Sequence, residues 1–176
     1  GRPMEIEGRG PFLSIAASDV SDKYRPLPVS GVFSDREQAL QQLRNLVGGI
    51  DVRDRRPVTV HISSHGSPSS VSVSNGRGWS DLYEDSDKPT AADFGRELGG
   101  IVRGRSGSCV LGGCNTGLGS SATDLARESG LSVAAPAGYA MVATQGGTDG
   151  KTRDGLGVLA DPGMYERYST EGNGPH

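Results

Sequence analysis

The chain has 176 residues, with 18 basic and 21 acidic side chains for a formal net charge of −3, a hydrophobic share of 34% and 28 glycines. That length suits one domain with its own core, and the intermixed charge excludes the basic footprint of a nucleic-acid binder. No apolar run approaches a membrane span, no secretion-signal pattern is visible, and so much glycine implies many loops and tight turns rather than wholesale disorder.

Residues 1–10, GRPMEIEGRG, carry charge and glycine without periodicity and read as a flexible lead-in. The apolar run from Phe12 to Ala17 reads as a first strand or an edge piece. Residues 27–33, LPVSGVF, form another candidate, with Pro28 better suited to an edge. Ser34-Asp35-Arg36-Glu37 has the form of a capping box, Ser34 at the N-cap and Glu37 at N3. Ala39, Leu40, Leu43, Leu46 and Val47 follow at helical spacing, and Gly48-Gly49 ends the helix. DVRDRR at 51–56 is a charged connector. Pro57 then introduces Val58, Val60 and Ile62, a strand ending at Ser63 or Ser64.

The segment 67–89 is rich in Ser, Asn and Gly, with a small hairpin expected around Val71–Val73 and Trp79. A helix is expected from Thr90 to Val102, carrying Ala92, Phe94 and Leu98. SCVLGG at 108–113 reads as a short buried strand that stops at Cys114. NTGLGS then leads into a helix near 121–129, where Ala122, Leu125 and Ala126 share a face. LSVAAP at 131–136 is the next strand, and YAMVAT at 139–144 a further one. The chain from Gly146 is polar and glycine-rich. The domain proper is set at 11–160, with 161–176 a polar C-terminal tail in which Tyr165 and Tyr168 offer aromatic contacts. Strands alternating with helices predict an α/β fold with a mostly parallel central sheet and helices on both faces. The carboxyl ends of its strands share one rim, where α/β proteins place their chemistry.

His65 and Cys114 both fall on that rim. A cysteine nucleophile needs a nearby imidazole to take its proton, and backbone N–H donors to receive the developing oxyanion. Glycines beside the reacting residues let a substrate carbonyl approach the main chain. His65-Gly66 after one strand and Gly112-Gly113-Cys114 after another supply these parts. His65 is therefore the candidate base and acid, Cys114 the candidate nucleophile, and the Gly66 and Cys114 amides the candidate oxyanion donors. Asn115, Gly138 and Tyr139 are candidate substrate contacts. No third member of the site is identifiable from spacing, and a backbone carbonyl would orient the imidazole as well as a side chain.

An apolar strand ending His-Gly, roughly fifty residues of α/β, then an apolar strand ending in Cys resembles the layout of clan CD cysteine peptidases, such as caspases, gingipains and CHAT domains. VTVHISSHGSP and SCVLGGCNTG carry the resemblance, and LARESGLSVAAPAGYAMV is similar to C-terminal domains of bacterial polymorphic toxins. The likeness spans roughly residues 57–145. It implies a caspase-like three-layer sandwich and a cysteine endopeptidase acting on a protein or peptide, including its own parent chain. It also implies a secreted or delivered bacterial effector working in a reducing target-cell cytoplasm. No cofactor is implied, although some toxin proteases of this group are switched on by an inositol phosphate in a basic pocket. The Gln-Ala-Cys block of caspases is replaced by Gly113-Cys114, so aspartate specificity is not carried over.

Other readings compete at several positions. Cys109, inside its strand, is expected to be a core residue, and a disulfide to Cys114 is disfavoured by their opposite faces. His61 shares a face with Ser63 and His65 if the strand continues. The spacing invites zinc, yet the zincin motif needs HExxH on a helix, so a packed, hydrogen-bonded histidine is expected and no metal. CNTGLGS could cradle an anion at a helix start but lacks the lysine of a P-loop and the arginine of a cysteine phosphatase. Arg53, Arg55, Arg56, Arg103 and Arg105 read as solvated clusters beside Asp51 and Asp54. Asp81, Glu84, Asp85 and Asp87 follow Trp79 in an acidic stretch, either an exposed loop or a pocket for a basic side chain. The same dyad would also serve deamidation or transpeptidation, and a non-catalytic phosphate- or protein-binding module is the remaining alternative.

Overall fold

The structure is a computed structural model, and it describes residues 4–6, 10–20, 29–136 and 165–168. Among the described residues seven strands form the main sheet: β1 (Met4–Ile6), β2 (Gly10–Ala17), β3 (Gly31–Phe33), β4 (Val58–Ser63), β8 (Gly107–Leu111), β9 (Ser132–Pro136) and β10 (Tyr165–Tyr168). Their order is β1-β2-β4-β8-β9-β10, with β3 also on β2. Strands β2, β3, β4, β8 and β9 pair in parallel, while β1 and β10 join antiparallel. β1 takes the Gly10–Phe12 half of β2 and β3 the Ile15–Ala17 half. Thus β2, predicted as a first or edge strand, runs inside the sheet. Met4–Ile6 of the lead-in and Tyr165–Tyr168 of the tail also pair with it, which neither segment's composition signals.

Alternation explains why β4 sits where it does. Val58, Val60 and Ile62 point to one face and are fully buried with Leu13, Ile15, Cys109, Leu111, Val133 and Ala135 of the neighbouring strands. Against the sheet pack α1 (Arg36–Gly48), which touches β2 and β3, and α3 (Ser121–Ser129), which touches β9, while α2 (Ala91–Val102) touches both other helices. The result is the predicted mixed α/β architecture, a mostly parallel sheet flanked by helices and consistent with a three-layer sandwich. None of the described helices is long and apolar enough to cross a membrane.

The helix ends follow capping chemistry, with one correction. The N-cap of α1 is Asp35 rather than Ser34: its carboxylate accepts from the Gln38 amide at 2.8 Å, and Gln38 Oε1 accepts from the Ser34 amide at 2.8 Å. The predicted Ser34/Glu37 box is one residue early, because Gln38 matches the capping-box requirement as well as Glu37 does. In α2 a full box forms, Thr90 Oγ1 accepting from the Asp93 amide and Asp93 accepting from the Thr90 amide. Gly95 and Gly99 lie against α3, where a Cβ at Gly95 would stand 3.0 Å from Glu128 Cβ. Their lack of side chains lets the two helices approach closely.

A second, three-stranded antiparallel sheet, β5 (His65–Ser67), β6 (Ser70–Ser74) and β7 (Trp79–Glu84), contains the predicted hairpin and follows β4 directly. His65 therefore opens a new strand in a different sheet from His61, and the two do not share one continuous face. The strand expected at 139–144 lies outside the described residues.

Candidate active site

Parallel pairing of β4 with β8 puts their carboxyl ends side by side, with Ile62 opposite Leu111. The Gly112 amide continues the ladder by donating to Ile62 O at 2.8 Å. Beyond that point the two chains stay in backbone contact. A Cβ at Gly66 would stand 2.5 Å from Thr116 Cγ2 and 3.1 Å from both Cys114 O and Gly113 C. A Cβ at Gly113 would stand 2.9 Å from His65 O. Only glycine fits where two main chains pack this closely. The His65-Gly66 and Gly113-Cys114 segments are thus brought together, as their spacing predicts.

The loop carrying Cys114 is pinned on several sides. Thr116 Oγ1 donates to Gly113 O at 2.9 Å, Gly117 donates to Pro136 O at the end of β9 at 2.9 Å, and Leu118 donates to Asn115 O at 3.1 Å. Asn115 turns the chain at φ 62°, a left-handed conformation that asparagine tolerates better than most residues. Cys114 is half-buried and Cys109 fully buried, and both are thiols. Burial pushes the Cys109 thiol up to about 12, so it is inert at neutral pH. Gly138 and Tyr139 lie outside the described residues, which leaves Asn115 as the one substrate-contact candidate with a described position.

A residue missed in the sequence completes the arrangement. His65 Nε2 lies 2.7 Å from Asp19 Oδ2, and that carboxylate also accepts from the Ser74 amide at 3.3 Å. Asp19 sits just past the carboxyl end of β2, anchored through Ser18, whose amide donates to Phe33 O at 2.8 Å. A carboxylate only accepts, so the shared hydrogen belongs to Nε2 and Nδ1 is left as the basic nitrogen. The imidazole also packs against Trp79 in a T-shaped arrangement, with ring centres 5.3 Å apart and planes at 89°.

The remaining candidates sort themselves by partner. His61 is fully buried, T-shaped against Phe12, with Nδ1 3.4 Å from Ser63 Oγ and Nε2 without a partner among the described residues. Burial pushes its pKa down to about 3, so it is a neutral, packed histidine. Among the described residues no group of three or more His, Cys, Asp or Glu is placed to hold a metal. Arg53 pairs with Asp51 and Arg56 with Asp54, and the Arg56 guanidinium holds the Asp54 carboxyl well below its usual range. Arg55, Arg103 and Arg105 line an open cleft of about 360 Å³. It adjoins the amino ends of β4 and β8, at the far end of the sheet from His65.

Comparison with known proteins finds no family model, no curated protein and no solved structure that matches this chain.

Proposed function

We propose that the chain is a cysteine-type endopeptidase built on a His65/Cys114 dyad, with Asp19 holding the imidazole. The backbone contact between His65-Gly66 and Gly113-Cys114 carries this reading, because it joins the two loops that the chemistry needs. His65 Nδ1 takes the Cys114 Sγ proton. Sγ then bonds to the substrate carbonyl carbon as the C=O π pair moves onto oxygen, facing the Gly66 and Cys114 amides. Collapse re-forms the carbonyl and breaks the C–N bond, the leaving amine taking the proton from Nδ1. Water, deprotonated by the same nitrogen, attacks the thioester, and the acid leaves as Sγ recovers its proton. Asp19 keeps its hydrogen bond to Nε2 throughout and stabilises the imidazolium.

The substrate class is a protein or peptide, either a target protein or the parent chain. The setting is a delivered bacterial effector in a reducing cytoplasm, a compartment in which Cys109 and Cys114 persist as thiols. Wild type and Cys114→Ala are incubated with a complex peptide mixture, and new termini are mapped by mass spectrometry. Cuts with wild type alone, clustered at one kind of site, support the peptidase. Amide-to-acid mass gains or spliced peptides without cuts reassign the dyad to deamidation or transpeptidation. Equal products from both proteins leave a binding module.

A further inference from the structure

The acidic stretch after Trp79 holds four carboxylates, and three of them are occupied. Asp85 accepts from the Ala91 amide at 2.8 Å and from the Ser121 hydroxyl, bridging the starts of α2 and α3. Glu84 accepts from Ser69 Oγ and from the amide and hydroxyl of Ser86, and Asp87 from the Lys88 amide. The Asp81 carboxylate has no hydrogen bond or ion pair among the described residues. It is not distant from the site. Across the small sheet His65 is opposite Ser72 and Ser72 opposite Asp81, so the three form one row on one face. Two strand spacings put Asp81 about 10 Å from His65.

A bulge sets which residues of β7 share this face. The register jumps from Val71↔Tyr83 to Ser72↔Asp81, leaving Leu82 as the extra residue. Leu82 and Tyr83 are both fully buried, while Asp81 remains partly exposed. Trp79, two residues earlier on that face, is 65% exposed. A large aromatic ring left in solvent against a candidate catalytic imidazole is an unfilled contact surface.

We infer that Trp79 and Asp81 form a subsite for a lysine or arginine side chain of the substrate, on the leaving-group side of the bond attacked by Cys114. This rests on the peptidase reading for its placement. His65 delivers its proton to the departing amine, so a side chain beside His65 belongs to the departing segment. A cation seated on the Trp79 face gains a cation–π contact, and its charge meets a carboxylate that none of the described residues neutralises. An acidic side chain there would meet Asp81 with Glu84 and Asp87 nearby.

The test compares peptides that differ only in Lys, Arg, Gln or Glu immediately after the scissile bond or one position later. It uses wild type, Asp81→Asn and Asp81→Lys. Wild type is expected to favour the basic peptides over the acidic ones by about tenfold in kcat/KM. Asp81→Asn should reduce that ratio and Asp81→Lys reverse it. Trp79 is the single tryptophan in the chain, so its fluorescence reports binding without turnover. Titrating Cys114→Ala with the same peptides should give a response to Lys and Arg peptides that Asp81→Asn weakens. Cleavage indifferent to charge at both positions overturns the subsite while leaving the peptidase intact. No cleavage but a basic-selective fluorescence response retains the subsite and removes the peptidase. Neither overturns both.

Discussion

Gly66→Ala probes the contact on which the site is built. The added Cβ would stand 2.5 Å from Thr116 Cγ2, more than 1 Å inside ordinary carbon contact. Thr116 cannot swing its methyl aside without breaking the Oγ1 bond to Gly113 O, which would leave a buried hydroxyl unpaired. The relief is therefore a separation of the two loops. Overpacking of this kind costs about 1–3 kcal/mol. For a chain of this size that lowers Tm by roughly 2–12 °C. A shift near 1 Å between His65 and Cys114 would reduce kcat/KM by about a hundredfold. Thr116→Ser removes the offending methyl and keeps the hydroxyl, so Gly66→Ala/Thr116→Ser should recover part of both losses. Thermal unfolding of the four proteins gives a double-mutant cycle, and peptide cleavage gives its functional counterpart. A Gly66→Ala protein with unchanged Tm and activity, or a cycle with no coupling, would refute the reasoning.

Asp19→Asn should lower kcat by at least about a hundredfold with little change in KM, because an amide can hold Nε2 while favouring the wrong tautomer. An unchanged kcat would remove Asp19 from the mechanism. Iodoacetamide at neutral pH should label Cys114 in the native protein and reach Cys109 only after denaturation, read by peptide mapping, since Cys109 is buried with its thiol pushed up to about 12. For His61, the folded state binds a proton less readily than the unfolded chain, with its pKa pushed from 6.5 to about 3. Its contribution is fully present above pH 6.5 and is lost as pH falls toward 3, a swing of about a few kcal/mol. Urea denaturation across that window should show the decline in wild type and a shallower one in His61→Gln. Equal slopes in the two proteins would assign the acid sensitivity elsewhere.

The parts of this fold that were legible from sequence are those in which a local rule and the tertiary context agree. α3 and β9 emerge from periodicity because their apolar faces are simply the buried ones. The α1 cap fell one residue early because Glu37 and Gln38 both satisfy the local rule, and only the observed bonds choose between Asp35 and Ser34. His65 and Cys114 could be paired because parallel βαβ order puts successive strand ends on one rim. Asp19 could not be found the same way. It follows a segment whose place in the sheet was undecided, and only the seating of β2 beside β4 brings it to His65. Had Phe12–Ala17 been placed there, an acid just past its carboxyl end would have been an obvious partner. Trp79 and Asp81 depend on a bulge, which no alternation pattern announces.

The close packing of glycines around the site also divides the surface for anyone wishing to diversify it. At Gly66, Gly113, Gly117 and Gly119 an added Cβ would stand within 3 Å of another atom, so those loops offer no room for libraries or inserted tags. At Gly76 and Gly78, in the turn between β6 and β7, nothing lies within 4 Å, but both stand at positive φ, so the whole turn must be replaced rather than single residues substituted. That turn leads directly into Trp79. A grafted loop there would alter what the rim admits while leaving the contact between the His65 and Cys114 loops as it stands, so recognition can be redesigned separately from chemistry.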